Sequence, residues 1–198
     1  MEAVAVLRQV LVHTYYSARR EREEGRRAVE AAWEREFREF AEARQRDLRR
    51  SAYLLCGDWH EAQDLTQTTL MKLYVTWKRV RRRGDVEMEA RTILMRTFVD
   101  QYRRPRATEE PVREVPEVRA GDAAAPEPEL RLVLQAQLME LPPRYRAVLV
   151  LRYWEDWSVE QTAHALRVST GTVKSHSAKG LSRLRRLIER GEGEVSRR

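Results

Sequence analysis

Along most of the chain, apolar residues recur three and four positions apart, the spacing that puts them on one face of a helix. Phe37, Phe40, Ala41, Leu48, Ala52 and Leu55 form the first strong stripe, and Gly57 marks its stop. Asp58 and Glu61 stand three apart as in a capping box and open a second helix. Its stripe runs through Ala62, Leu65, Thr66, Thr69, Leu70, Leu73 and Trp77, until Arg83-Gly84-Asp85 breaks it. A third stripe, through Ala90, Ile93, Leu94, Thr97, Phe98 and Gln101, ends at Pro105. Three packed helices make a first domain over residues 34–104.

Residues 1–33 precede it as a charged extension. Val4, Leu7, Leu11 and Tyr15 recur there at helical spacing, followed by both charge signs from Arg19 to Arg27. A peripheral segment is the favoured reading; a regulatory arm and a start codon assigned too far upstream are the alternatives. Residues 105–129 hold five of the seven prolines and more acids than bases, which predicts an extended, flexible linker rich in proline and acid.

A second helical domain is expected over 130–190, with a tail at 191–198. Leu130, Val133, Leu134, Gln137, Leu138 and Leu141 share a face that Pro142-Pro143 ends, and a further helix carries Ala147, Val148, Leu151 and Trp154. Ser158 and Gln161 form another capping box before a short helix with Val159, Thr162, Ala163 and Leu166. A tight turn at Arg167-Val168 leads to Ser169, which caps a long helix whose buried face is Val173, Ser177, Leu181 and Leu184. That is a helix-turn-helix, with Arg167 where such turns often place glycine; a left-handed residue there costs roughly 1–2 kcal/mol. The fold class is therefore all-α: two small helical domains on a tether.

Charge turns this outline toward function. The chain carries 38 Lys and Arg against 31 Asp and Glu, a net charge of +7, and most of its cations are arginine, which suits bidentate contacts with phosphates and base edges. Net charge alone leaves a solvated basic surface equally open. Position decides: Thr172, Lys174, Ser175, His176 and Lys179, with Arg183, Arg185 and Arg186, lie on the outward face of the long helix, where no core needs them. Lysine and arginine reach guanine edges or phosphates in a major groove, and serine and threonine bond either.

Other chemistries find little support. Cys56 is a single cysteine in an apolar context, which fits a buried small hydrophobe and a reducing cytosol. There is no glycine-rich phosphate loop, no nucleophile with a base at readable spacing and no metal cluster, so no enzyme, catalytic residue, cofactor or metal site is expected. The lone His176 has no second ligand at a useful spacing. Arg8, Gln9 and His13 interrupt the apolar amino-terminal stretch, and no apolar run approaches a membrane span, so a soluble cytoplasmic protein is expected.

Residues 141–154, Leu-Pro-Pro-Arg-Tyr-Arg-Ala-Val-Leu-Val-Leu-Arg-Tyr-Trp, followed by Ser158-Val159-Glu160-Gln161-Thr162-Ala163 and Ser169-Thr170-Gly171-Thr172-Val173-Lys174-Ser175, resemble the carboxy-terminal domain of extracytoplasmic-function sigma factors. Residues 64–74, Asp-Leu-Thr-Gln-Thr-Thr-Leu-Met-Lys-Leu-Tyr, resemble the core-polymerase-binding helix of the same family. The likeness spans roughly residues 34–190. It implies that Asp64, Leu65, Gln67, Leu70, Met71 and Leu73 meet the clamp helices of the polymerase largest subunit, with Leu65 and Leu73 also read as core. It implies that Arg91, Arg96, Thr97, Asp100, Gln101, Arg103 and Arg104 lie by the non-template strand of the melted −10 element. Many relatives carry asparagine at the position of Arg96. On the −35 side it selects Lys174, Ser175 and Lys179 from the set Thr172, Lys174, Ser175, His176, Lys179 and Arg183. Core RNA polymerase, including the flap of its second-largest subunit, and promoter DNA are the implied partners, and an anti-sigma protein is a further candidate.

Two rival readings stay open on sequence. A dimeric helix-turn-helix regulator leaves residues 64–74 unexplained, and a helical adaptor that binds acidic proteins would lack the steep salt dependence of DNA binding.

Overall fold

The computed structural model describes residues 2–103 and 128–195. Among them every regular element is helical. Helix α1 spans Glu2–Cys56, α2 Trp59–Arg83, α3 Val86–Arg103, α4 Pro128–Met139, α5 Pro143–Leu149, α6 Val159–Leu166 and α7 Thr170–Val195, with a π-helical turn at Val150–Trp154 between α5 and α6. The expected linker at 105–129 lies outside the described residues except for Pro128 and Glu129, which open α4. The tail also lies outside beyond Val195.

The residues divide into two compact units, Met1–Ala43 and Arg44–Arg198. In the first, the extension is helical as its periodicity suggests, and the side chains of Val4, Leu7, Leu11 and Tyr15 lie outside the described set. The second unit holds the end of α1 and everything that follows.

Local chemistry sets the helix ends. Gly57 (φ 79°) and Gly84 (φ 80°) terminate α1 and α2 in left-handed conformations, which glycine adopts without strain. The Asp58 carboxylate accepts from Glu61 N–H at 2.8 Å, and Ser158 and Gln161 close both halves of their capping box at 3.0 and 2.7 Å. Arg167 stands at φ 54°, ψ 47°, the left-handed cap the sequence required of it.

Within the second unit, the helices of the two bundles share an apolar core. Ala52, Leu55, Ala62, Leu65, Leu94, Met95 and Phe98 from α1 to α3 pack in one cluster with Ala147, Val150, Leu151, Trp157 and Ala165 from α5 onward. Arg146 lies inside this junction, 5% exposed. Its guanidinium donates to the carbonyl of Leu55 at the end of α1, and to those of Met139 at 2.9 Å and Leu141 at 3.0 Å after α4, so one side chain satisfies the orphan carbonyls of two helix ends. Burial pulls its pKa down, but a guanidinium stays charged in a protein, and these carbonyls are what make its burial tolerable. Gln135 adds a bond from Nε2 to the carbonyl of Tyr53 at 2.9 Å.

Several positions depart from the stripes: Leu134 and Gln101 are exposed, and two further departures have a visible cause. Trp154, placed on a buried face by its spacing from Leu151, is exposed, because the π-helical turn inserts an extra residue and shifts the helical phase. Glu155 is turned inward instead, its side chain only 7% exposed. Leu181 is also exposed; Gly180 takes the inner position, where a Cβ would stand 3.2 Å from the Leu149 side chain.

Candidate nucleic-acid and polymerase surfaces

Helix α7 builds the first surface. Val173 and Gly180 anchor it on α5 and α6, which leaves Lys174, Ser175, Lys179 and Arg183 exposed, with Arg185 and Arg186 further along. Ser169 caps α7 by accepting from Thr172 N–H at 3.1 Å, and its hydroxyl lies 2.9 Å from that of Thr172, so Thr172 is partly committed to the turn. His176 is half-buried, its ring 5.1 Å from that of Tyr145 on α5. Burial and the positive fields of Arg144 and Lys179 lower its pKa, which keeps the imidazole neutral near pH 7. Of the six residues selected on sequence, Lys174, Ser175, Lys179 and Arg183 are thus exposed, and Thr172 and His176 are half-buried.

Helix α2 builds the second. Leu65, Leu70 and Leu73 are buried, so all three leucines of the selected set are core, Leu70 included. The buried hydroxyls beside them, Thr66 and Thr69, each donate at 2.7 Å to the carbonyl four residues back. Asp64, Gln67 and Met71 face outward, and Tyr74 and Val75 extend their stripe with 49% and 85% exposure. Sequence reasoning missed these last two, although they follow Met71 at three and four residues. An exposed acid, an amide and a run of large apolar side chains are what a protein-binding face carries, since single exposed apolar residues are ordinary but a stripe is not.

The third set, on α3, is largely engaged. Arg91 bonds Glu87 at 2.7 Å and also the carboxylate of Glu155. Burial alone would lower its pKa, but the hydrogen bond to Glu87 and the field of Glu155 raise it overall. Arg96 donates from Nε to the carbonyl of Ala165 at 2.7 Å and from Nη2 to that of His164 at 3.1 Å; burial and Arg167 lower its pKa. Thr97 is buried and accepts from Lys72 Nζ at 2.9 Å. Asp100 and Gln101 are exposed. The side chain of Arg103 and all of Arg104 lie outside the described residues. No group of acids, histidines and cysteines able to hold a metal occurs among the described residues, and none of their helices is long and apolar enough to cross a membrane.

Comparison with known proteins places these surfaces in a family. Residues 40–108 match the model of sigma-70 region 2, and residues 131–184 match that of sigma-70 region 4. The RNA polymerase sigma-E factor of Streptomyces coelicolor is 37% identical over 169 residues, covering 80% of this chain and 95% of that protein. The ECF RNA polymerase sigma factor SigW of Bacillus subtilis is 26% identical over 153 residues, covering 69% of this chain and 80% of that protein. Among solved structures, the sigma factor RpoE in complex with the anti-sigma factor NepR from Bartonella quintana superposes with a TM-score of 0.61 at 22% identity, over 78% of this chain and 97% of that one. CnrH in complex with the cytosolic domain of CnrY gives 0.56 at 18% identity, over 79% and 89%. These two share the fold.

Proposed function

Because the chain belongs to the sigma-70 family, in its extracytoplasmic-function branch, and so is a transcription initiation factor rather than an enzyme, we propose that its two helical regions read opposite ends of a promoter while α2 holds the polymerase. Region 4 takes the −35 duplex through the α7 face bearing Lys174, Ser175, Lys179 and Arg183. Region 2 takes the −10 element and aids melting through α3, where Arg91, Arg96, Gln101 and the arginines beyond it meet the non-template strand. A flipped base can rest on a guanidinium plane while neighbouring arginines neutralise phosphates. Asp64, Gln67 and Met71 engage the largest subunit's clamp helices, with Tyr74 and Val75 enlarging the contact, and region 4 meets the flap. Such a factor works in the cytoplasm, where polymerase and DNA are.

The observation that carries this reading is the coexistence in one chain of the exposed Asp64–Gln67–Met71–Val75 stripe and an exposed basic helix-turn-helix face. A DNA-binding regulator needs the second and has no use for the first. The test is promoter capture with and without core polymerase: specific binding is expected only when core is added, and specific binding by the chain alone as a dimer would favour the regulator.

The RpoE structure named above was solved with the anti-sigma factor NepR. By likeness of fold, a partner of that kind is a candidate for this chain as well.

A further inference from the structure

His176 stands where the packed side of α7 meets its exposed side. Inward, the imidazole packs against the ring of Tyr145 on α5, with centroids 5.1 Å apart and planes tilted by 59°. Outward, it adjoins Lys179, one turn further along α7 on the exposed face assigned above to the −35 duplex. The ring is half-buried, neither sunk in the core like Val173 nor free in solvent like Lys174. We propose that His176 is neutral in the free chain and takes up one proton as α7 seats on the −35 duplex, so that promoter capture strengthens as pH falls through the neutral range. This deepens the reading of α7 as the −35 helix and rests on it.

The groups around the ring set its free state. From α5 come Arg144, exposed in the first turn, and Tyr145; from α7 comes Lys179. Helix α6 meets α7 through Ala163 and Val173, and its Glu160 lies in the field of Lys174. Helix α4 meets α7 further along, through Leu138 and Leu141 beside Leu184 and Leu187. Both charges that act on His176, Arg144 and Lys179, are positive, and burial works in the same direction, so the free imidazole resists the proton.

A duplex reverses that field. A phosphate held by Lys179 stands beside the imidazole, cancels the positive charge that kept it neutral and adds a negative one, while the approaching DNA removes water that would screen the pair. Protonated, the ring has two N–H donors and can give the phosphate a charge-assisted bond; neutral, it has one donor and no charge to assist it. The proton comes from solvent and returns there on release. Histidine is the side chain for which such a reversal falls within the physiological range, whereas lysine or arginine at this position would be charged in both states. A group that binds its proton more tightly in the complex than in the free chain makes affinity rise as pH falls, by at most about ten-fold per pH unit for one proton.

The test uses holoenzyme assembled from core polymerase and the full chain as wild type, His176→Gln and His176→Arg. Each is titrated against a fluorescein-labelled promoter duplex from about pH 8 to about pH 6 at constant ionic strength. Core polymerase and the other groups of the chain titrate alike in all three, so the ratio of affinities isolates the side chain at this one position. Wild type is expected to gain on the order of five-fold over His176→Gln across that range. His176→Arg is expected to bind more tightly than His176→Gln throughout, with a ratio that does not move with pH. A wild-type-to-Gln ratio that stays constant, or that falls toward acid, would overturn the proton linkage. Equal affinities of the Arg and Gln variants would overturn it as well, because the duplex would then make no use of a charge there. Lys174→Ala with Lys179→Ala separates this from the broader reading: full capture by that variant would sink the assignment of α7 to the −35 duplex, whereas lost capture beside a constant wild-type-to-Gln ratio would sink the linkage alone.

Discussion

Lys72 on α2 donates from its ammonium to the hydroxyl of Thr97 on α3 at 2.9 Å, which ties the helix that carries the polymerase-facing stripe to the helix assigned to DNA. Thr97 is buried while the lysine is exposed, so the bond seals one edge of the first bundle. Thr97→Val keeps the shape and removes the acceptor. Because the lysine is free to hydrate, the expected cost is about 1 kcal/mol, read as a lower urea midpoint, with polymerase capture unchanged.

Lys174→Ala combined with Lys179→Ala strips two cations from the exposed face of α7 without touching its packing. Promoter-specific initiation is expected to be lost while core binding survives, and the salt dependence of promoter capture should fall by about two in log–log slope. Asp64→Ala should do the reverse, weakening capture of core. Titration of labelled core with each variant separates the two surfaces.

Gly57 and Gly84 share a backbone conformation near φ 80° but differ in what lies beside them. A Cβ on Gly84 meets open space, whereas one on Gly57 stands 2.4 Å from Sδ of Met139 on α4. Gly84→Ala should cost the left-handed penalty alone, roughly 1–2 kcal/mol, and Gly57→Ala should cost more because Met139 has to move. Equal urea midpoints would mean that the end of α4 does not rest on the end of α1 in solution.

His176 makes stability depend on acid. Its pKa is lowered by burial first and by Arg144 and Lys179 next, with the Tyr145 ring against it. The unfolded chain therefore binds the proton more readily than the folded one, and stability falls as pH drops below about 6.5, the ordinary histidine value. Thermal unfolding between pH 8 and pH 5.5 should show a smaller acid-side loss for His176→Gln than for the wild type.

Local rules made much of this legible. Gly57, the capping pair Ser158 and Gln161, and the left-handed Arg167 all stand where sequence spacing puts them, because each depends on residues within a few positions. The basic face of α7 was legible for the same reason: a helix that buries Val173 has to expose Lys174 and Lys179. Pairings that cross the chain were not. Nothing near Glu155 announces Arg91, 64 residues away, and nothing near Arg146 announces the carbonyl of Leu55. The π-turn defeated the pattern at Trp154, because one inserted residue changes the phase without changing any local residue type. Arg91, Arg96 and Thr97 thus read as an open DNA surface in sequence and stand in the fold as partners of Glu155, α6 and Lys72.

Run-off transcription with core polymerase across a library of promoter sequences asks whether this chain sets where RNA synthesis begins. Adding the chain is expected to move RNA start sites to templates that share paired −35 and −10 elements, and substituting Lys174 and Lys179 is expected to erase the −35 preference. Start sites identical with and without the chain, or a −35 preference indifferent to both lysines, would contradict the proposed role.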